Sequence, residues 1–274
     1  MTSTGEIRFS HASPEATRGT APVPNSNLPT VSASRLRVAE TFVSRQGEGK
    51  LTGQQSFFVR TSGCNLRCWF CDTPYASWKP EGPHQTVAAI ADEIAAAGVQ
   101  HVVLTGGEPM LPESVGELCQ ILSDRGHHIT IETAGTIDRD WPCDLMSISP
   151  KLAASSPEPR EHPRWASLHQ ERRMPIPVMR NLISRARDVQ VKFVVDSPDE
   201  FDEILAVVDE LSKPDPNSPT QSLLASDDIW IMPQGITEAA LDQAATWLRP
   251  WSDQQGFRYC DRMQIRWYGN KRGT

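Results

Sequence analysis

Long apolar runs are missing from this chain: no segment approaches the roughly 18 consecutive apolar residues that a membrane-spanning helix needs. The first residues also lack the short apolar core of a secretory signal, so a soluble protein is expected. Basic residues are in deficit, with 27 Lys and Arg against 34 Asp and Glu and a net charge of −7. That balance disfavours nucleic acid as a partner, because binding a phosphate backbone relies on clustered cations that displace its counterions. Cysteine is scarce, six in 274 residues, too few for a disulfide framework, so reduced thiols in the cytoplasm are expected.

Three of those six cysteines lie within eight residues. Cys64, Cys68 and Cys71 occupy the run Gly63-Cys-Asn-Leu-Arg-Cys-Trp-Phe-Cys-Asp-Thr73, with no fourth cysteine or histidine beside them. A structural zinc site is normally closed by four protein ligands, whereas three leave a coordination position open for chemistry. Iron–sulfur clusters are also held by thiolates, normally four, so three would leave one iron free to take a small molecule. The alternatives are a zinc site completed by a remote Cys119, Cys143 or Cys260, or a histidine, and three unrelated thiols. Trp69 and Phe70 inside the run suit either a hydrophobic shell around a redox centre or ordinary core packing.

Elsewhere the pattern alternates. Residues 1–35 are rich in Ser, Thr, Pro and Ala and read as a disordered tail, leaving 36–274 as one domain. Short apolar runs predict strands over 56–60, 101–104, 128–132, 144–149, 190–195 and 229–232, and a final strand over 264–268. Helices are predicted over 86–97, 114–124, 198–211 and 237–248. Alternating strands and amphipathic helices imply an α/β fold around a parallel sheet. Residues 153–187, with several Pro and Arg, and residues 213–227 break the rhythm and read as long loops, lids or insertions. If the sheet curls into a barrel, function should gather after the strands. The cysteine run, Thr105-Gly-Gly-Glu-Pro109, Glu132-Thr-Ala-Gly135, Ser149-Pro-Lys151 and Met232-Pro-Gln-Gly235 all stand there.

The C-x3-C-x2-C spacing together with Gly106-Gly107-Glu108-Pro109 resembles the radical S-adenosylmethionine enzymes, and implies their partial, TIM-like β/α barrel. Arg45-Gln-Gly-Glu-Gly49, Phe58-Val-Arg60, Cys71-Asp-Thr73, Ser149-Pro-Lys151 and the terminal Gly269-Asn-Lys-Arg-Gly-Thr274 narrow the likeness to the 7-carboxy-7-deazaguanine synthases, over about residues 38–274. The resemblance implies a lyase of queuosine and 7-deazapurine biosynthesis. Its substrate would be 6-carboxy-5,6,7,8-tetrahydropterin, contracted to 7-carboxy-7-deazaguanine with loss of ammonia.

Residue by residue, the resemblance implies that Cys64, Cys68 and Cys71 bind a 4Fe–4S cluster and that Thr73 binds Mg2+. S-adenosylmethionine would be lined by Gly107, by Ser149, Pro150 and Lys151, and by Met232, Pro233, Gln234 and Gly235, with Glu132 to Gly135 a weaker candidate. Arg45, Gln46, Gly47, Arg60 and Thr105, and the carboxylate of Thr274, would hold the pterin. A flavodoxin or ferredoxin would donate the electron, and a homodimer is the expected assembly.

Physical readings stand beside these. The Arg60 fork suits a carboxylate bidentately, or forms a surface salt bridge. Thr73 suits a hard ion that takes few protein oxygens, or caps the following turn, with Asp72 a turn residue or a carboxylate behind it. Lys192, Lys271 and Arg272 balance a carboxylated substrate, or pair structurally. Cys119, Cys143 and Cys260 are most simply buried hydrophobes, and His127 and His128 structural. A glycyl-radical activating enzyme and a zinc-bound module without catalysis are the rival functions.

Overall fold

A computed structural model of the chain describes residues 1–2, 34–214 and 222–274. The tail expected over 1–35 lies almost wholly outside them, as does the middle of the loop expected over 213–227. One compact body takes in Ser32–Thr274.

Strand β1 (Arg35–Arg45) runs antiparallel to β2 (Gln55–Thr61) and to the short β3 (His84–Thr86). From β2 onward the sheet is parallel, through β4 (His101–Gly106), β5 (His128–Thr133), β6 (Leu145–Ile148), β7 (Asp188–Val195), β8 (Ile229–Pro233) and β9 (Arg258–Tyr259). Among the described residues the order β3-β1-β2-β4-β5-β6-β7-β8-β9 does not close on itself, so the barrel is partial, as expected.

Helices α1 (Val87–Ala97), α2 (Ser114–Asp124), α3 (Pro163–Arg172), α4 (Ile176–Arg185), α5 (Phe201–Ser212) and α6 (Glu238–Gln255) connect the parallel strands. Their boundaries are chemical. Thr86 and Thr237 cap α1 and α6 by accepting the N–H groups of Ala89 and Ala240, and Gly98 and Gly256 end them in left-handed conformation. Val102, Leu104, Ile129, Ile131, Ile148, Val191, Phe193 and Ile231 from the strands pack with Ile90, Leu118, Leu122, Met179 and Leu248 from the helices in one buried core.

Two expectations are corrected. Residues 264–268 are not a strand: Met263–Tyr268 form helix α7. The Arg262 carbonyl takes the N–H groups of Ile265 and Arg266, and the Ile265 carbonyl that of Gly269, so the local bonds a strand would forgo are made. The 153–187 stretch is not a long loop, since it carries α3 and α4. Proline stands in the first turn of each, where its missing N–H costs no hydrogen bond. Met179, Leu182 and Ile183 then supply the stripe that buries α4 against the core.

Candidate active site

One cavity of about 250 Å³, the scale of a small-molecule site, opens at the carboxyl ends of the parallel strands. Its wall includes Cys64, Cys68, Cys71, Thr73, Gly107, Ser149, Lys151, Met232 and Gln234, and also Arg45, Gln46, Gly47, Arg60, Thr105 and Thr274. Pro150, Pro233 and Gly235 stand in the same loops but do not line it. Gln46, Gly47 and Glu48 follow β1, whose end pairs with the beginning of β2, so they reach the cavity from the side opposite the cysteine loop.

The loop after β4 is shaped by close backbone approach. A Cβ on Gly107 would lie 2.0 Å from the Gly63 carbonyl oxygen, so no side chain fits between this turn and the cysteine loop. Glu108, fully buried, ties the turn to the loop after β5. Its carboxylate accepts from Thr133 Oγ1 at 2.7 Å, from Ala134 N at 2.9 Å and from Met110 N at 3.1 Å. Burial pushes its carboxyl above the usual range. Ser149 Oγ accepts from Lys151 Nζ at 2.7 Å, and Thr105 Oγ1 donates to Glu132 at 2.8 Å, placing Glu132 on the wall as well.

Arg60 is not the surface salt bridge of its second reading: it is paired, but inside the protein and on the cavity wall. Its Nε donates to Glu40 Oε1 at 2.6 Å, and the pair is largely buried, not a surface bridge. Glu40 stands outside the cavity lining and Arg60 within it. The same carboxylate accepts from Tyr75 Oη at 2.8 Å and from Arg272 Nε at 2.9 Å. Arg272 is therefore paired structurally, also with Glu81 and over the Tyr75 ring. Arg45 lies 4.4 Å from the Trp267 ring centre and donates to Tyr268 Oη at 3.1 Å.

A charge cluster on the same wall joins Lys192 and Asp72, both singled out in the sequence, to Glu48 and Arg262, which were not. Glu48 accepts from Lys192 Nζ, from Arg262 Nε at 3.3 Å and from Gln264 Nε2 at 2.6 Å. Arg262 also donates to Asp72 and, at 2.8 Å, to the Gly235 carbonyl, so one guanidinium spans three loops. Burial would raise the Glu48 carboxyl, but the Lys192 and Arg262 charges outweigh it and hold it at about 2. Glu48 was visible in Arg45-Gln-Gly-Glu-Gly49; Arg262, in no motif, carried no signal.

The donor set fits a cluster. Cys64, Cys68 and Cys71 line one cavity, three thiols with room beside them for a small molecule. Thiolates that each hold a different iron must stand apart. The other three thiols are engaged elsewhere: Cys119 in the core, Cys143 beside the Ile129 carbonyl, and Cys260 accepting from Gly49 N at 3.0 Å. None completes a zinc site with the loop. Burial pushes the Cys64 thiol up to about 12 and Cys68 to about 11, so cationic iron is what would hold them ionised. Trp69 is half-exposed and not a core anchor, whereas Phe70 lines the cavity.

Thr73 lines the cavity, its hydroxyl 3.8 Å from Cys71 Sγ. The following turn bonds to the Thr73 carbonyl, through Ala76 N at 2.9 Å, so the hydroxyl is not spent as a cap. The histidines expected to be structural are so placed, His128 lying 4.4 Å from His101 between ring centres.

Residues 58–152 match the model of the radical SAM superfamily. A 7-carboxy-7-deazaguanine synthase from Rhodopirellula baltica is 56% identical over 89% of this chain and 90% of its own length. The chain belongs to the 7-carboxy-7-deazaguanine synthase family. A second member, from Halobacterium salinarum, is 40% identical over 84% of this chain and 89% of its own. In fold, the chain resembles the crystal structure of QueE from Escherichia coli, with a TM-score of 0.55 over 83% of this chain and 93% of that one, at 20% identity. The family is an enzyme family of the radical SAM class, which implies a 4Fe–4S cluster and S-adenosylmethionine. No helix among the described residues is long and apolar enough to cross a membrane.

Proposed function

We propose that the chain converts 6-carboxy-5,6,7,8-tetrahydropterin to 7-carboxy-7-deazaguanine, with loss of ammonia, in the cytoplasm. The observation that carries this reading is that the three loop thiols and the buried Arg60 fork face one small cavity in a member of that family. Cys64, Cys68 and Cys71 hold the cluster. Gly107, Ser149 to Lys151 and Met232 to Gly235 hold S-adenosylmethionine. The bound cluster and S-adenosylmethionine supply the hydrogen-abstracting radical that begins the ring contraction.

The protein's own share is placement. Glu40 fixes Arg60 from behind, leaving the outer edge of the guanidinium to receive the substrate carboxylate in a bidentate pair. Arg45, Gln46, Gly47 and Thr105, with Thr274, bound the rest of the pterin. Gln46 is set by its bond to Ser56 Oγ at 2.9 Å, and Gly47 by the Gln264 backbone, which leaves no room for a Cβ. Thr73 offers a single hydroxyl to Mg2+, which prefers water and substrate for its other ligands. A flavodoxin or ferredoxin as electron donor and a homodimeric assembly belong to the same reading.

The test is anaerobic reconstitution with iron and sulfide, then incubation with the pterin, S-adenosylmethionine and a reductant. A brown protein that forms the deazapurine is expected. Cleavage of S-adenosylmethionine without deazapurine would sink the substrate assignment, and a colourless protein with stoichiometric zinc would sink the cluster.

A further inference from the structure

The outer side of the cysteine loop is held by residues that the proposed chemistry does not use. Arg67, between Cys64 and Cys68, donates its backbone N–H to His169 Nδ1 on α3 at 3.1 Å. With Nδ1 accepting, the imidazole proton stands on Nε2 and is donated to Ser155 Oγ at 2.9 Å. The Ser155 hydroxyl in turn donates to the Leu152 carbonyl at 2.6 Å.

Farther along the loop, Trp69 donates its backbone N–H to the Ser155 carbonyl at 3.1 Å and its indole N–H to the Ala154 carbonyl at 2.8 Å. The Arg67 guanidinium lies 3.9 Å from the Trp165 ring centre. Both His169 and Ser155 are buried, so water does not readily replace these bonds. Two of the loop's backbone donors, Arg67 and Trp69, thus find their partners in the segment that breaks the βα rhythm, while Leu66 and Cys71 bond within the loop.

We infer that residues 153–169 are a brace that sets the spacing of Cys64, Cys68 and Cys71, and that His169 is its positioning residue. The inference rests on the reading of these cysteines as cluster ligands. Three thiolates that each meet a different iron must be held apart before loading, and a loop fixed beforehand loses less freedom on taking up metal. Contacts behind a ligand set are the usual means of such fixing.

Alkylation of the metal-free, reduced protein tests the brace apart from activity. Iodoacetamide is added and each of the six cysteines is followed separately by mass spectrometry. In His169→Ala the loop thiols should react roughly five- to tenfold faster than in the parent, the effect of losing about one buried hydrogen bond. Cys119, Cys143 and Cys260 should keep their parent rates. His169→Asn, whose carboxamide oxygen takes the place of Nδ1, should lie between.

Unchanged loop rates would overturn the inference, as would a parallel rise at all six thiols, which marks general loosening. Should His169→Ala not fold, Ser155→Ala, which removes one hydroxyl, carries the same comparison. In the reconstituted enzyme, loss of iron to a chelator should accelerate in the same order. A parent protein that takes up no iron defeats the cluster reading, while alkylation still decides the brace.

Discussion

Arg60 and Glu40 are partners across neighbouring strands, Nε to Oε1 at 2.6 Å, with both side chains mostly buried. Residue 40 of β1 stands directly opposite residue 60 of β2, so the sheet register itself brings the carboxylate to the guanidinium. Glu40 thereby aims a fork that would otherwise sample many rotamers, and its second oxygen is held by Arg272. Arg60→Lys keeps the charge and loses the fork. Its KM for the carboxylated pterin should rise roughly 10- to 100-fold, matching about 1.5–3 kcal/mol for a charge-assisted bond. Cleavage of S-adenosylmethionine without the pterin should stay near the parent rate. Steady-state kinetics decide it, and an unchanged KM would leave Arg60 a structural ion pair only.

Glu48 makes the fold sensitive to acid. Its carboxyl is held at about 2, below the ordinary 4.5, because Lys192 and Arg262 outweigh the cost of burial. A depressed acid contributes stability that is complete above the ordinary value and is lost as protons bind on the way down. The loss belongs to the window from about 4.5 to about 2. In Glu48→Gln, thermal melting followed through that window should fall less steeply with pH than in the parent. At neutral pH the same variant should be less stable, since it strips Lys192 and Arg262 of their shared partner. Parallel slopes would clear Glu48 of the effect.

Much of this architecture was readable because parallel, doubly covered strands write themselves as short apolar runs, such as Val102-Val103-Leu104 and Ile129 to Ile131. The loops that follow them were marked by Gly and Pro. The 264–268 run misled because Ile265 and Trp267 alternate as in a strand, whereas in α7 residues two apart face different sides: Ile265 is buried and Trp267 is only partly covered, beside Arg45. Helix α3 was hidden by its polarity, with only Ala166 and His169 buried. In the site, the residues named by motif came together, but Arg262 did not announce itself. Its partners Glu48, Asp72 and Gly235 are 214, 190 and 27 residues away, and separations of that kind leave no local pattern.

Arg262 should behave as a hub. Arg262→Ala takes the cation from Asp72 and one of two cations from Glu48, which keeps Lys192 and Gln264, and it vacates the bond to the Gly235 carbonyl. Breaking a fully buried pair from one side costs about 3–5 kcal/mol; with Asp72 partly exposed and Glu48 still held by Lys192, urea unfolding should register a smaller loss, about 1–3 kcal/mol. Arg262→Lys should recover only part of it, because a single ammonium cannot reach three loops at once. Full recovery by lysine would mean that charge alone, and not the span of the guanidinium, is what the site requires.

Thr73 separates a magnesium ligand from a packing residue. Thr73 lines the cavity with its hydroxyl next to Cys71, the turn behind it uses the backbone carbonyl, and the neighbouring Asp72 carboxylate is engaged by Arg262. In the proposed reading the hydroxyl meets the ion, and Arg262 takes only Oδ2 of the neighbouring Asp72. Thr73→Val preserves shape and removes that oxygen, while Thr73→Ser preserves the oxygen and removes a methyl group. Titrating product formation with Mg2+ should show the valine variant needing at least roughly tenfold more ion, or not responding, with serine close to the parent. The iron–sulfur absorbance should be equal in all three, because the cysteines are untouched. If valine responds to Mg2+ as the parent does, Thr73 is packing, and the ion, where it binds, is held by other oxygens.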